Sequence, residues 1–146
     1  MQSPGPSLTL SMSRVIRTTP EKVFRAFTDP AWYASWWGPE GTRSEIRELD
    51  LREGGAYRID MHMPDGSTVT LYGRYREIEP PRLLSYTWAW EGQPLETVVT
   101  LEIEAHEDGA ELTVVHEGFV DQRDVDMHDH GWGSSLDRLE RFAVTS

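Results

Sequence analysis

The sequence predicts an α+β domain in which a curved antiparallel sheet of about six or seven strands wraps a long C-terminal helix, with two short helices after the first strand. Three observations predict it. From Tyr57 to His116 apolar and polar residues alternate with the two-residue period of half-buried strands. Val125, Trp132, Leu136, Leu139 and Ala143 then recur at helical spacing. Between the first strand and the sheet, residues 20–38 hold three Trp, one Tyr and two Phe, more aromatic surface than two short helices need for their own contacts.

Ser7 to Ile16 reads as the first strand. Thr19-Pro20-Glu21 opens a helix, with Thr19 as N-cap and Pro20 at the first helical position, and Val23, Phe24 and Phe27 form its inner face. Thr28-Asp29-Pro30 ends that helix and starts a second, capped by Asp29 and running to about Trp36. Tyr57, Ile59, Met61 and Met63 then alternate with Arg58, Asp60 and His62, and Pro64-Asp65-Gly66 turns the chain. Val69, Leu71, Gly73 and Tyr75 continue the pattern, followed by Leu84, Tyr86, Trp88 and Trp90, then Val99, Leu101 and Ile103, then Leu112, Val114 and His116. Short turns between successive strands imply an antiparallel meander. In the last helix Gly131 and Gly133 predict a late start, a bend or a close approach of the backbone to a neighbour.

At 146 residues the chain is expected to form one domain, residues 7–146, preceded by a disordered tail, residues 1–6. No run approaches the roughly 18 apolar residues that span a bilayer, and Met1 to Ser7 lack a secretion signal, so a cytoplasmic location is expected. Cysteine is absent, which removes disulfides, thiolate nucleophiles and thiolate metal sites. The net charge of -11, with scattered basic residues, argues against a nucleic-acid partner.

Thr19 to Pro30, Trp36-Trp37-Gly38-Pro39, Gly54-Gly55 before the Tyr57 strand, Gly73 with Ile78 to Leu83, His116-Glu117-Gly118-Phe119, and the terminal Gly131, Trp132, Ser134, Leu136 and Leu139 together resemble one family. The chain is similar to the START-like (SRPBCC) superfamily, and within it to the activator of Hsp90 ATPase homologue-like branch. The resemblance implies a helix-grip fold with a deep apolar cavity, used in the superfamily for lipids, polyketides, hormones and other hydrophobic molecules; some relatives are cyclases or hydrolases. It does not imply co-chaperone activity, which in the eukaryotic namesake depends on a separate first domain.

The expected function is binding of a small hydrophobic, aromatic or lipid-like molecule by a monomer or homodimer, without cofactor or metal. Phe27, Trp36, Trp37, Ile59, Met61, Met63, Leu71, Tyr86, Trp88, Val99, Leu101, Val114, His116, Met127, His128, Trp132 and Leu136 are expected to line the site. A solid aromatic core is the competing arrangement. His116 shares a strand face with Leu112 and Val114, and an inward histidine beside a ligand is a candidate acid or base for a cavity enzyme; a lone inward histidine is more often a hydrogen-bonded core residue. Asp124 and His128, or Asp126 and His130, are four apart and would each offer two metal ligands on a helix, but no completing ligand is identifiable and a solvated acidic helix start is favoured. Ser134 and Ser135 lie in no nucleophile-elbow context, and no glycine-rich phosphate loop occurs. A third possibility is a protein-interaction module, favoured by a filled interior together with an exposed apolar patch.

Overall fold

The computed structural model describes residues 7–145, so the expected tail at residues 1–6 lies outside the described residues. The elements run β1 (Leu8–Ile16), α1 (Pro20–Thr28), α2 (Pro30–Trp36), β2 (Arg43–Leu49), β3 (Ala56–His62), β4 (Thr68–Glu79), β5 (Leu83–Trp90), β6 (Glu96–His106), β7 (Gly109–Phe119) and α3 (Gln122–Thr145). The seven strands form one antiparallel sheet in the order β1-β7-β6-β5-β4-β3-β2. Strands β2 to β7 are a meander, and β1 pairs with the last of them. The segment α1–α2 therefore connects the two edges of the sheet.

Caps set the two short helices. Thr19 accepts from the Lys22 N–H at 3.2 Å, and Asp29 accepts from Ala31 and Trp32 N–H at 3.0 and 3.3 Å. The Trp32 amide, ahead of Arg25, holds the Asp29 carboxyl below the usual carboxylate range. Trp36 is 1% exposed and donates from Nε1 to the Ala26 carbonyl at 2.9 Å, which ties α2 to α1, while its ring meets Phe27 edge-on at 4.9 Å.

Inner strand faces follow the alternation read from the sequence. Tyr57, Ile59 and Met61 are buried, as are Leu71 and Tyr75, Leu84, Tyr86 and Trp88, Val99, Leu101 and Ile103, and Leu112, Val114 and His116. Arg58 and Tyr72 stack across the outer face at 5.7 Å. Register shifts on β1, β2 and β4 bend the sheet. The β4–β5 pairing opens between Tyr72–Ala89 and Tyr75–Tyr86. A Cβ on Gly73 would stand 2.1 Å from the Thr87 carbonyl oxygen, so this close approach requires glycine. The Tyr57 hydroxyl donates to that oxygen at 2.6 Å, and the Thr87 hydroxyl accepts from the Arg74 N–H at 2.9 Å.

Helix α3 is continuous through both glycines, correcting the expected late start or bend. The close approach occurs at Gly133, whose carbonyl accepts from Arg14 Nη2 at 3.3 Å. Arg14 also pairs with Asp137 and Glu140, holding α3 to β1. Gly131 has open space where a Cβ would stand. Gly131→Ala should therefore raise the unfolding free energy by about 0.5–1 kcal/mol, the usual cost of glycine inside a helix; urea denaturation checks it, and a loss of stability would mean that this position needs glycine.

The α2–β2 loop is fastened to α3 by Arg138. Its Nη1 donates to three successive carbonyls, those of Trp37, Gly38 and Pro39, at 3.1, 2.9 and 3.1 Å. Ser134 Oγ accepts from the Glu40 N–H at 2.9 Å, and Glu40 pairs with Arg141. Among the described residues no helix is long and apolar enough to cross a membrane.

Candidate functional site: an aromatic layer with two histidines

The layer between the inner sheet face and α3 is built from tryptophans. Trp88 of β5 lies 5.8 Å from Trp37, 5.5 Å from Trp132 and 5.5 Å from Trp90, centroid to centroid, and Trp37 lies 5.2 Å from Trp132. These edge-on and tilted contacts match the ring quadrupoles and fill the layer. Two small recesses lie beside this layer. One, between α1, α2 and the end of α3, has a volume of about 10 Å³, room for one water at most. The other, lined by Phe27, Tyr33, Tyr57, Tyr75, Leu84 and Tyr86, has a volume of about 0 Å³. Trp37, Trp88 and Trp132 thus pack ring against ring on the face where the resemblance implied a deep apolar cavity.

His116 is fully buried at the centre of this layer, 4.8 Å from Trp88 and 4.5 Å from Phe119. Its Nδ1 accepts from Trp132 Nε1 at 3.1 Å, and indole N–H is a donor only. The proton of a neutral ring must then sit on Nε2, which donates to Thr97 Oγ1 at 2.7 Å, and Thr97 donates to the Trp88 carbonyl at 3.3 Å. Every side-chain polar atom of this chain is paired, and the chain ties β5, β6, β7 and α3 together. Burial, then the neighbouring His128, lowers the His116 pKa to about 3, so the ring is neutral at physiological pH. Neither nitrogen is free to take a proton from a substrate or give one to it.

His128 makes the second such pair. Its Nδ1 donates to the Asp124 carbonyl at 2.7 Å, and its Nε2 accepts from Trp90 Nε1 at 3.1 Å. Burial lowers its pKa against the opposing pull of Asp124. The Asp124–His128 spacing is thus used for a bond to the backbone. Among the described residues no group of three or more His, Cys, Asp or Glu side chains is placed to hold a metal ion.

Three buried polar atoms have no hydrogen-bond partner among the described residues: Trp37 Nε1, Trp88 Nε1 and the Tyr86 hydroxyl. Their residues are 2%, 5% and 3% exposed. The Tyr86 phenol stands close enough to that of Tyr33 for the two to interact, so the unpaired groups that matter here are the two indoles. Burial pushes the phenols of Tyr33, Tyr57, Tyr75 and Tyr86 up, so all four are neutral.

Of the residues expected at the site, Phe27, Trp36, Trp37, Ile59, Met61, Leu71, Tyr86, Trp88, Val99, Leu101, Val114, His116, Trp132 and Leu136 are buried in the core. Met63 and His128 are partly buried, and the Met63 sulfur accepts from the Thr42 hydroxyl at 3.8 Å. Met127 is the exception and must be corrected: it is 67% exposed. It follows the buried Val125 by two residues, about 200° around a helix, whereas His128 follows Val125 by three and precedes Trp132 by four. Thr97 and Phe119 were missed. Thr97 shares strand parity with Val99 and Leu101, which would have placed its hydroxyl inward beside His116.

The sequence profile of the activator of Hsp90 ATPase homolog 1-like proteins matches residues 17–143. The chain belongs to this activator of Hsp90 ATPase homolog 1-like family. Solved structures with the same fold include a Chromobacterium violaceum protein, 33% identical with a TM-score of 0.87, covering 92% of this chain and 96% of that one. An AHSA1 protein of Silicibacter pomeroyi is 28% identical with a TM-score of 0.83, again covering 92% and 96%. A protein from Arthrobacter aurescens, 20% identical over 95% of this chain and 87% of its own, shares the fold with a TM-score of 0.85. No curated protein matches. As a family member the chain has the helix-grip architecture, with a seven-stranded curved sheet around a long C-terminal helix.

Proposed function

We propose that the protein binds a small hydrophobic molecule, aromatic or lipid-like, between the inner sheet face and α3, against Trp37, Trp88 and Trp132. One observation carries this reading: two indole N–H groups, those of Trp37 and Trp88, are buried in that layer unpaired. Each such group costs about 1–3 kcal/mol. A core selected only for stability would replace them with phenylalanine, and a ligand that offers them a partner accounts for their presence. The rings now close on one another, so a ligand would take its place by shifting α1–α2 against α3, the contact that Arg138 fastens. In this reading His116 positions Trp132, and the chemistry of the site is recognition. Binding takes place in the cytoplasm, by a monomer or homodimer.

Thermal unfolding and tryptophan fluorescence, followed across a panel of polycyclic aromatic compounds and fatty acids, test the proposal. Saturable quenching is expected. At a hundredfold excess over Kd the stabilisation should be about 2.7 kcal/mol, or roughly 9 °C for a chain of this length. An unchanged melting temperature and emission across the panel would overturn the reading and favour a surface that binds a protein partner.

A further inference from the structure

We infer that the ligand is an uncharged hydrogen-bond acceptor, a planar ketone or quinone-like molecule whose carbonyl oxygen sits between the indole N–H groups of Trp37 and Trp88. This rests on the proposed binding function and narrows its ligand class. Indole nitrogen can donate and cannot accept, so its partner must offer a lone pair, and a hydrocarbon would leave both groups unpaired. The two rings are neighbours, 5.8 Å apart between centroids, and a carbonyl oxygen has two lone pairs to share between them. The other indole N–H groups and the Thr97 hydroxyl are already committed: Trp132 Nε1 to His116, Trp90 Nε1 to His128, Trp36 Nε1 to Ala26, and Thr97 to His116 and the Trp88 carbonyl.

The charge of the acceptor follows from what is buried. The buried polar residues are Thr42, Ser44, Ser85, Thr97, His116 and Ser135; none of the described Arg, Lys, Asp or Glu residues is among them. His116 is neutral and uses both nitrogens. Arg138, the nearby cation on α3, directs Nη1 to three loop carbonyls. A carboxylate drawn into the layer would therefore lose its water with no buried cation beside it, which costs far more than burying a neutral carbonyl. Neutral acceptors are selected over anions by that difference, and over hydrocarbons by the pairing of two orphaned donors.

The test uses three compounds on one tricyclic frame: fluorene, 9-fluorenone and fluorene-9-carboxylate. Calorimetric titration of the whole protein at pH 7 should show fluorenone binding at least tenfold more tightly than fluorene, with the carboxylate weakest. Proton–nitrogen spectra should show the Trp37 and Trp88 indole N–H signals moving downfield with fluorenone and not with fluorene. Trp37→Phe and Trp88→Phe assign those signals, and each should reduce the preference for fluorenone over fluorene. If either variant fails to fold, the two signals are assigned in the unmodified protein from through-space contacts of each indole N–H. Equal binding of fluorene and fluorenone, or fluorenone binding without movement of those two signals, would overturn this inference and leave the ligand site standing. Tightest binding by the carboxylate would overturn it likewise. No binding by any of the three would count against the ligand site itself and would remove this inference with it.

Discussion

Trp132→Ala should lower the unfolding free energy by about 3–5 kcal/mol, and the melting temperature by roughly 10–15 °C, in the ligand-free protein. The side chain is 2% exposed and touches Trp37 and Trp88 on two sides. It also supplies the N–H that His116 Nδ1 accepts. Truncation removes the ring's burial, opens a void between β5 and α3, and leaves an acceptor on a fully buried histidine unpaired. Trp132→Phe separates these effects, because it keeps most of the apolar volume and removes the N–H. Differential scanning calorimetry of both variants checks the expectation. A shift of only a few degrees for alanine would mean that the layer yields around Trp132, as the wall of an adaptable pocket would, and that it is not a rigid core.

Acid should destabilise the fold well above the range in which carboxylates titrate. The His116 pKa is lowered from 6.5 to about 3 by burial and by His128. Between those values the unfolded chain binds a proton that the native ring refuses, so the stability due to the neutral ring is fully present above pH 6.5 and is lost as pH falls towards 3. Between pH 7 and pH 5 this amounts to about 2 kcal/mol from His116 alone. The lowered pKa of His128 acts in the same direction. Asp29, Glu45, Asp60 and Asp65, held low by their hydrogen bonds, lose their contribution only at lower pH. Urea unfolding at the two pH values should show the drop in the natural protein and a clearly smaller one in His116→Gln, whatever that variant loses at pH 7. Equal drops in both would remove His116 as the cause.

Much of this site is legible in the sequence because strand parity and helical spacing are local rules. Parity placed His116, Trp88 and Tyr86 inward, and the spacing from Val125 to Trp132 fixed the buried face of α3. Thr19 and Asp29 could be named as caps because a cap is chosen by its own backbone turn. What parity cannot give is volume. Whether six inward aromatic rings enclose a space or fill it depends on how far the sheet curls towards α3, and that is set by bulges and by the close approach at Gly73. Nor does it give pairing: which indole meets which histidine depends on residues brought together from four elements. The placement of Met127 needed only helical arithmetic, and there the expectation failed by treating a flexible apolar side chain as a pocket wall without asking which way its position faces.

The pairing of β1 with β7 has a consequence for how the protein is made. Ser13 and Thr113, whose hydroxyls meet at 3.0 Å across that pair, are 100 positions apart. At ordinary translation rates of about 5–20 residues per second, β1 waits on the order of 5–20 s before its only sheet partner has been synthesised. The meander from β2 to β7 can assemble as it leaves the ribosome, but the sheet stays open along β7 until the first strand returns to it. That late joining of distant segments is the step most exposed to aggregation in a nascent chain, and the step at which a chaperone that holds an extended N-terminal strand would matter most.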